Sequence, residues 1–331
     1  MKPTPCNRPA GSFPESVISL DLGATKLAAG LFDRTGRLRL KRVVALNGRS
    51  GEAVGELMAR EAKRLHSAAA REQLSVWALG ACVPGIAHPK TGRVWAPNIP
   101  GWTDYPLRDE LRGALAGTEI PVVMDSDRAA YILGEVWQGA ARGCRNAVFL
   151  SVGTGIGAGV LVEGEVLRGA HGSAGSIGWW ALSRPFHPAY VPCGDFEYHA
   201  SGAGLARVAA DWVSRMPDYR GPLKRRRELT AHDVFAAYAA GDLVAAGVLH
   251  EASEYWGAAC ANLVSLFNPE KIIFGGGVFG PATQFLRDIR LEARKWAQPV
   301  AIRRARFEIS RLGSDAGLFG AGYLAWRAVR E

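Results

Sequence analysis

Short apolar runs separated by glycine-bearing turns dominate the first fifty residues. Residues 17–20, 27–32 and 38–46 read as strands. The first pair is joined through Asp21-Leu22-Gly23-Ala24-Thr25-Lys26, and the second through Asp33-Arg34-Thr35-Gly36. The period of the hydrophobic positions then changes. Val54, Leu57, Met58 and Leu65 recur at helical spacing, which predicts a helix over 52–72. Strands follow at 76–83, stopped by Pro84-Gly85, and at 121–124, then a helix over 129–138. The opening pattern next returns: an apolar run at 147–152 enters Gly153-Thr154-Gly155-Ile156-Gly157, a strand at 160–162 follows, and Glu163-Gly164-Glu165 turns the chain. Strand, Gly/Thr turn, strand, turn thus occurs at 17–36 and again at 147–165, which predicts two lobes of similar topology. Helices at 203–213, 231–240 and 243–267, a strand at 271–274 opening onto Gly275-Gly276-Gly277, and a Gly/Ala-rich helix at 315–327 complete an α/β alternation.

Composition narrows the classes. A chain of 331 residues has room for two packed domains. With 48% hydrophobic and 21% charged residues, disorder is excluded as its main state. No apolar run approaches the ~18 residues of a membrane-spanning helix. Forty Lys and Arg against 31 Asp and Glu leave a net charge of +9. Such a surface attracts anions, whether nucleotides, phosphorylated products or nucleic acid, without choosing among them. Five scattered cysteines with no CxxC pair support neither a disulfide framework nor a cysteine-rich metal site. Residues 1–16 contain Pro and Ser but no apolar core, and are expected to form a flexible arm on a cytoplasmic protein.

The glycine turns carry the candidate chemistry. Successive backbone N–H groups in such turns form concave anion sites that glycine lets a ligand approach closely. Two of them, Gly23-Ala24-Thr25-Lys26 and Gly153-Thr154-Gly155, could grip one polyphosphate, with Thr25 and Thr154 adding hydroxyls. Asp21 precedes the first and can hold Mg²⁺ through water. Gly275, Gly276 and Gly277 form a third glycine site. Each turn alone is compatible with a plain tight hairpin; their combination favours a nucleotide. Gly153–Gly157 does not open a helix, which argues against a dinucleotide fingerprint, and no GxxxxGK[ST] cradle exists.

These segments, with Ala96-Pro97-Asn98-Ile99-Pro100-Gly101-Trp102, Gly172-Ser173-Ala174-Gly175 and Gly313-Ser314-Asp315-Ala316-Gly317, appear in the order of the ROK sugar kinases, which the chain resembles from Val17 to Leu324. The resemblance implies a two-lobed actin-like ATPase fold of duplicated ribonuclease H-like domains, with the active site in the interlobe cleft. It implies a smaller lobe over 17–127, completed by a C-terminal helix near 314–331, and a larger lobe over 128–313. It also implies ATP and Mg²⁺ as cofactors and γ-phosphoryl transfer to a hydroxyl of a sugar or sugar-like acceptor. Matching the family's segment onto Met124–Glu135 places its catalytic carboxylate at Asp127, with Asp125 as the competing candidate and Ser126 in place of the family's Asn. Either acid could instead merely cap a helix. On the acceptor side the resemblance implies Asn98, Gly85 and Glu197.

The sequence also departs from the family. Its Glu-Ile-Gly-His stretch reads Ser176-Ile177-Gly178-Trp179 here, so Ser176 stands for a sugar-binding Glu and Trp179 for a zinc-ligating His. The cysteine-rich zinc run reduces to Cys193-Gly194-Asp195, and one Cys cannot build a tetrahedral zinc site. No zinc is therefore expected, with Trp179, Trp180, Phe186 and Tyr190 packing the loop or, alternatively, a Trp stacking on the sugar. Glucose is therefore expected to be a poor acceptor, and an amino sugar, deoxy sugar or cyclitol a better one. The alternative activity is a non-catalytic sugar sensor. The run Lys224–Arg227 is expected to be a solvated loop rather than a nucleic-acid site, no membrane partner is expected, and the resemblance implies a homodimer.

Overall fold

The computed structural model describes residues 13–225 and 228–329. Most of the expected N-terminal arm therefore lies outside the described residues, as do Arg226 and Arg227 of the basic run; Glu15 and Ser16, expected in the arm, already belong to the first strand.

The chain forms two units. The first runs to Gly143 and regains Val166–Ala174 and the segment from Asp315 onward; the second comprises Cys144–Glu165 and Gly175–Ser314. In the first unit β1 (Glu15–Leu22), β2 (Lys26–Asp33), β3 (Leu38–Ala45), α1 (Glu52–Arg71), β4 (Ser75–Val83), the short pair β5 (Ile86–Ala87) and β6 (Val94–Trp95), α2 (Leu107–Ala114), β7 (Val122–Ser126) and α3 (Asp127–Gln138) follow in order. Its sheet has the order β3-β2-β1-β4-β7, antiparallel on the hairpin side and parallel from β1 to β7. Alternate residues of the strands face opposite ways. Ile18, Leu20, Leu27 and Leu31 pack with Val54, Leu57 and Met58 of α1. Val17, Ala28 and Phe32 pack with Leu318, Ala325 and Trp326 of the last helix.

The second unit contains β8 (Ala147–Val152), β9 (Ile156–Val162), β10 (Glu165–Val166), α4 (Asp195–Ala200), α5 (Gly202–Ser214), α6 (Ala231–Ala239), α7 (Leu243–Phe267), β11 (Lys271–Gly275), α8 (Leu286–Trp296), α9 (Pro299–Arg304) and β12 (Arg306–Ile309). Its sheet order, β10-β9-β8-β11-β12, repeats that of the first, again with an antiparallel hairpin and parallel strands beyond it. The internal repeat read from the sequence is thus a duplicated sheet. Val148, Leu150, Ile272 and Phe274 build the core with Leu205, Trp256 and Leu263 of the covering helices.

The last helix, α10 (Ala316–Ala328), returns to the first unit and packs on α3. The contact is a backbone one: a Cβ at Gly134 would meet the Ala316 carbonyl oxygen at 2.3 Å, and one at Gly320 would meet that of Ala130 at 1.8 Å. This packing corrects the expected boundary after 127, because it keeps all of α3 in the first unit. β9 starts at Ile156 rather than 160, since Ile156 pairs with Val152 directly across the glycine turn.

Candidate active site

In the first unit β1, β4 and β7 run parallel, and their C-terminal ends carry Asp21, Cys82 and Asp125–Asp127. The Cys82 thiol donates to Asp21 Oδ1 at 3.0 Å. The other oxygen, Oδ2, lies against Gly317, where a Cβ would come within 2.5 Å. Burial lifts the Asp21 carboxyl to about 6, the Cys82 bond opposes the rise, and the charge of Asp127 adds to it. Burial likewise holds the Cys82 thiol neutral, well above its ordinary value, with Asp21 contributing.

Asp127 opens α3. Its Oδ1 accepts from the Arg128 N–H at 2.8 Å. Burial raises its proton affinity, while the Arg128 charge and that N–H pull the other way. Arg128 Nη2 in turn donates to the carbonyls of Gly85 and Gly172, both at 3.3 Å. Burial raises the Tyr131 hydroxyl too, with Asp127 and Asp21 adding.

The competing acid is engaged differently. Asp125 Oδ2 accepts from Arg168 Nη2 at 2.6 Å and Nε at 2.9 Å, and Oδ1 accepts from the Ser126 N–H at 2.8 Å. Both oxygens are thus occupied within the protein. The helix cap is neither acid but Ser126, whose Oγ accepts from the Ala129 N–H at 3.2 Å. The resemblance also puts Ser126 on the acceptor side, and the cap leaves its O–H free to donate.

The first glycine turn closes with the Gly23 N–H on the Lys26 carbonyl at 2.9 Å, and Ala24, Thr25 and Lys26 are exposed. Asn98 is exposed at the tip of a turn in which the Ile99 N–H donates to the Ala96 carbonyl at 3.0 Å. Gly85, at φ +128, passes so close to β6 that a Cβ would meet the Trp95 carbonyl at 2.2 Å.

In the second unit the turn Gly153-Thr154-Gly155 closes with the Gly153 N–H on the Gly155 carbonyl at 2.9 Å, and Thr154 is exposed. The turn borders a cavity of about 510 Å³ lined by Gly153, Thr154, Gly202, Thr230, Phe235 and Gly277. Glu197 supports the turn from behind: Oε2 accepts from the Ile156 N–H at 2.6 Å and would lie 2.6 Å from a Cβ at Gly155. Burial raises this carboxyl. One of its oxygens thus serves the backbone.

The glycine triplet is not uniform. A Cβ at Gly275 would strike Phe149 at 2.2 Å, and one at Gly276, which sits at φ +87, would strike the Val152 carbonyl at 2.3 Å. Those two glycines are required by the protein itself. Only Gly277 meets nothing within 4 Å and lines the cavity.

Ser176 precedes a single 3₁₀ turn over Ile177–Trp179. Trp179 is 58% exposed and does not pack the loop as expected, while Phe186, 72% exposed, meets Tyr190 of the loop edge-on at 6.2 Å. The residues near them do not fit zinc. Cys193 Sγ contacts the Gly194 carbonyl, and the Asp195 oxygens accept from the Leu182 and Ser183 N–H groups and the Ser183 hydroxyl. Among the described residues no group of three or more His, Cys, Asp or Glu side chains is arranged to hold a metal ion. Mg²⁺ is a different case: it keeps most of its waters and needs few protein oxygens, and Asp21 can supply one.

Sequence reasoning missed Cys82, Arg168 and Tyr131. Cys82 sits in an apolar strand and looks like any core cysteine, while Arg168 finds its carboxylate 43 residues away. Tyr131 could have been found from helical spacing, four residues after Asp127.

Known proteins share this sequence pattern and fold. The ROK family profile matches residues 17–328. A glucokinase of Halalkalibacterium halodurans is 34% identical over 93% of this chain and 94% of its own length. The solved ROK hexokinase of Thermus thermophilus superposes with a TM-score of 0.76 at 33% identity, covering 95% of this chain and 99% of the other. A Streptomyces griseus ROK glucokinase, solved with glucose and AMPPNP, gives a TM-score of 0.74 at 30% identity, covering 94% and 99%. A duplicated α/β sheet, carboxylates at the ends of parallel strands, a glycine turn in each unit and a profile match over nearly the whole length lead to one assignment: the chain belongs to the ROK family.

Proposed function

We propose that the chain is an ATP-dependent kinase that transfers the γ-phosphoryl group to a hydroxyl of a sugar or cyclitol, with Asp127 as general base. The observation that carries this reading is the contrast between two neighbouring acids. Asp125 is consumed by Arg168, whereas Asp127, its proton affinity raised by burial, keeps its place beside Asp21. A base that accepts the hydroxyl proton as the phosphoryl group arrives needs raised basicity and an oxygen not already held by a cation. The glucokinase relative, and the ROK glucokinase solved with glucose and AMPPNP, support the class of reaction.

In this reading Gly153, Thr154 and Gly277 receive the nucleotide at their cavity, and Gly23–Lys26 and Asp21 serve the phosphates. Mg²⁺, held near Asp21 through water, would neutralise phosphate charge. Asn98 and Glu197 hold the acceptor's hydroxyls. Ser176 and Trp179 reduce the polar groups offered to it, and unpaired buried polar groups cost about 1–3 kcal/mol each. Glucose is therefore expected to be at least roughly tenfold poorer in kcat/KM than the best acceptor.

A coupled ADP-release assay across hexoses, amino sugars, deoxy sugars and cyclitols tests both claims. Asp127→Asn should lower kcat by on the order of 10²–10⁴ with nucleotide affinity kept. Asp125→Asn should chiefly destabilise the fold by stranding Arg168. Near-normal turnover in Asp127→Asn would reverse the assignment. Sugar and nucleotide binding without turnover for any acceptor would favour a sensor.

A further inference from the structure

α4 is six residues long, too short to persist on its own hydrogen bonds, yet it carries Glu197. Something else must fix it. Asp195, its first residue, is 5% exposed and accepts three bonds of 2.7 Å: from the Leu182 N–H and Ser183 N–H to Oδ2, and from the Ser183 hydroxyl to Oδ1. A carboxylate so enclosed is tolerated because charge-assisted donors fill its lone pairs.

His199, one turn later, continues the attachment. Its Nε2 lies 3.1 Å from the Tyr190 hydroxyl and 3.6 Å from Asp195 Oδ1, and its Nδ1 lies 3.4 Å from Glu251 Oε1 of α7. The ring stacks on Tyr255 of α7 at 4.8 Å and 9°. At the far end, Trp256 Nε1 donates to the Ala200 carbonyl at 3.0 Å. Between these anchors Glu197 reaches the Ile156 N–H with no slack, because Gly155 and Gly178 leave no space for a Cβ beside its carboxylate.

We propose that Asp195, assisted by His199, is a positioning residue that fastens the 182–183 backbone to α4 and thereby holds Glu197 beneath the glycine turn at Gly153–Gly157. The loop over 179–194 is organised by hydrogen bonds and ring stacking, the work a bound metal would otherwise do. A metal placed here would have to displace N–H donors from a carboxylate they already fill. The kinetic consequence rests on the proposed role of Glu197 toward the acceptor; the structural consequence does not.

The two are read separately on the full chain. Hydrogen exchange is measured at the amides of Leu182, Ser183 and Ile156 in wild type, Asp195→Asn and the milder Ser183→Ala. Asp195→Asn should speed exchange at all three amides by about tenfold or more, with Ser183→Ala shifting them the same way by less. In ADP-release kinetics Asp195→Asn should raise the acceptor KM about tenfold while leaving the ATP KM within about twofold. EDTA should leave the wild-type exchange pattern unchanged. Unaltered exchange at Ile156 in both variants, or an EDTA effect at Leu182 and Ser183 matched by stoichiometric zinc, would overturn the proposal. Accelerated exchange in a protein that phosphorylates no acceptor would uphold it and refute the kinase reading instead.

Discussion

At the scale of single residues, Asp21 carries a conflict between stability and use. Its carboxyl is raised from 3.8 to about 6 because folding buries it. A raised carboxyl is most compatible with the folded state when protonated. Its contribution is therefore fully present below pH ~4 and is lost as pH rises through about 6, a cost on the order of 3 kcal/mol by linkage. Asp21→Asn should accordingly raise the urea midpoint at pH 8, leave it nearly unchanged at pH 4, and reduce Mg²⁺-dependent turnover. Equal midpoints for variant and wild type at pH 8 would show that the buried charge costs nothing. The sequence marked Asp21 as a Mg²⁺ candidate, but its burial and raised proton affinity were not legible there. Its neighbour Cys82, its cover Gly317 and the charge at Asp127 arrive from three separate segments.

At the scale of elements, glycine does two different jobs that its letter does not distinguish. Gly320 lets α10 lie directly on the Ala130 carbonyl of α3. Backbone cannot move aside as a side-chain tip can, so Gly320→Ala should cost at least about 1–3 kcal/mol, read as a lowered denaturant midpoint. Gly276→Leu should fail in the same way, against Val152, and so cannot report on nucleotide. Gly277→Ala should fold normally and raise the ATP KM; an unchanged KM would remove this position from the nucleotide site. Strands and the repeated hairpin were readable because buried strands concentrate Val, Ile and Leu between turns. α8 was not, because only Leu286, Ile289 and Ala293 of its apolar residues turn inward, while Leu291 and Trp296 are exposed among arginines and acids. α4 left no periodic signal at all in six residues, and it is fixed by bonds to distant parts of the chain.

At the scale of the whole molecule, the duplicated sheets explain why family membership was visible early: each glycine turn is weak evidence, but the same turn in the same place of two equivalent sheets is not a coincidence of composition. The acceptor was less visible, since in the proposed reading it meets the loop over 176–195, which is ordered by bonds such as those from Leu182 and Ser183 to Asp195. The division of the chain also bears on folding. The first unit is discontinuous, and α10 supplies Leu318, Ala325 and Trp326 to its core and a carbonyl to Ser19 Oγ. Truncation after Ser314 should leave that unit without native structure while the second unit survives; circular dichroism and proteolysis of the truncated chain would show this, and a fully protected first unit would contradict it. During synthesis the ribosome delivers β1 before the second unit and α10 after it. The first unit's sheet must therefore wait, its Val17 and Phe32 face uncovered, until α10 leaves the exit tunnel. That makes the second unit the earlier to mature, against the usual N-terminal-first order, and it names the nascent-chain surface that a chaperone would have to shield in the interval.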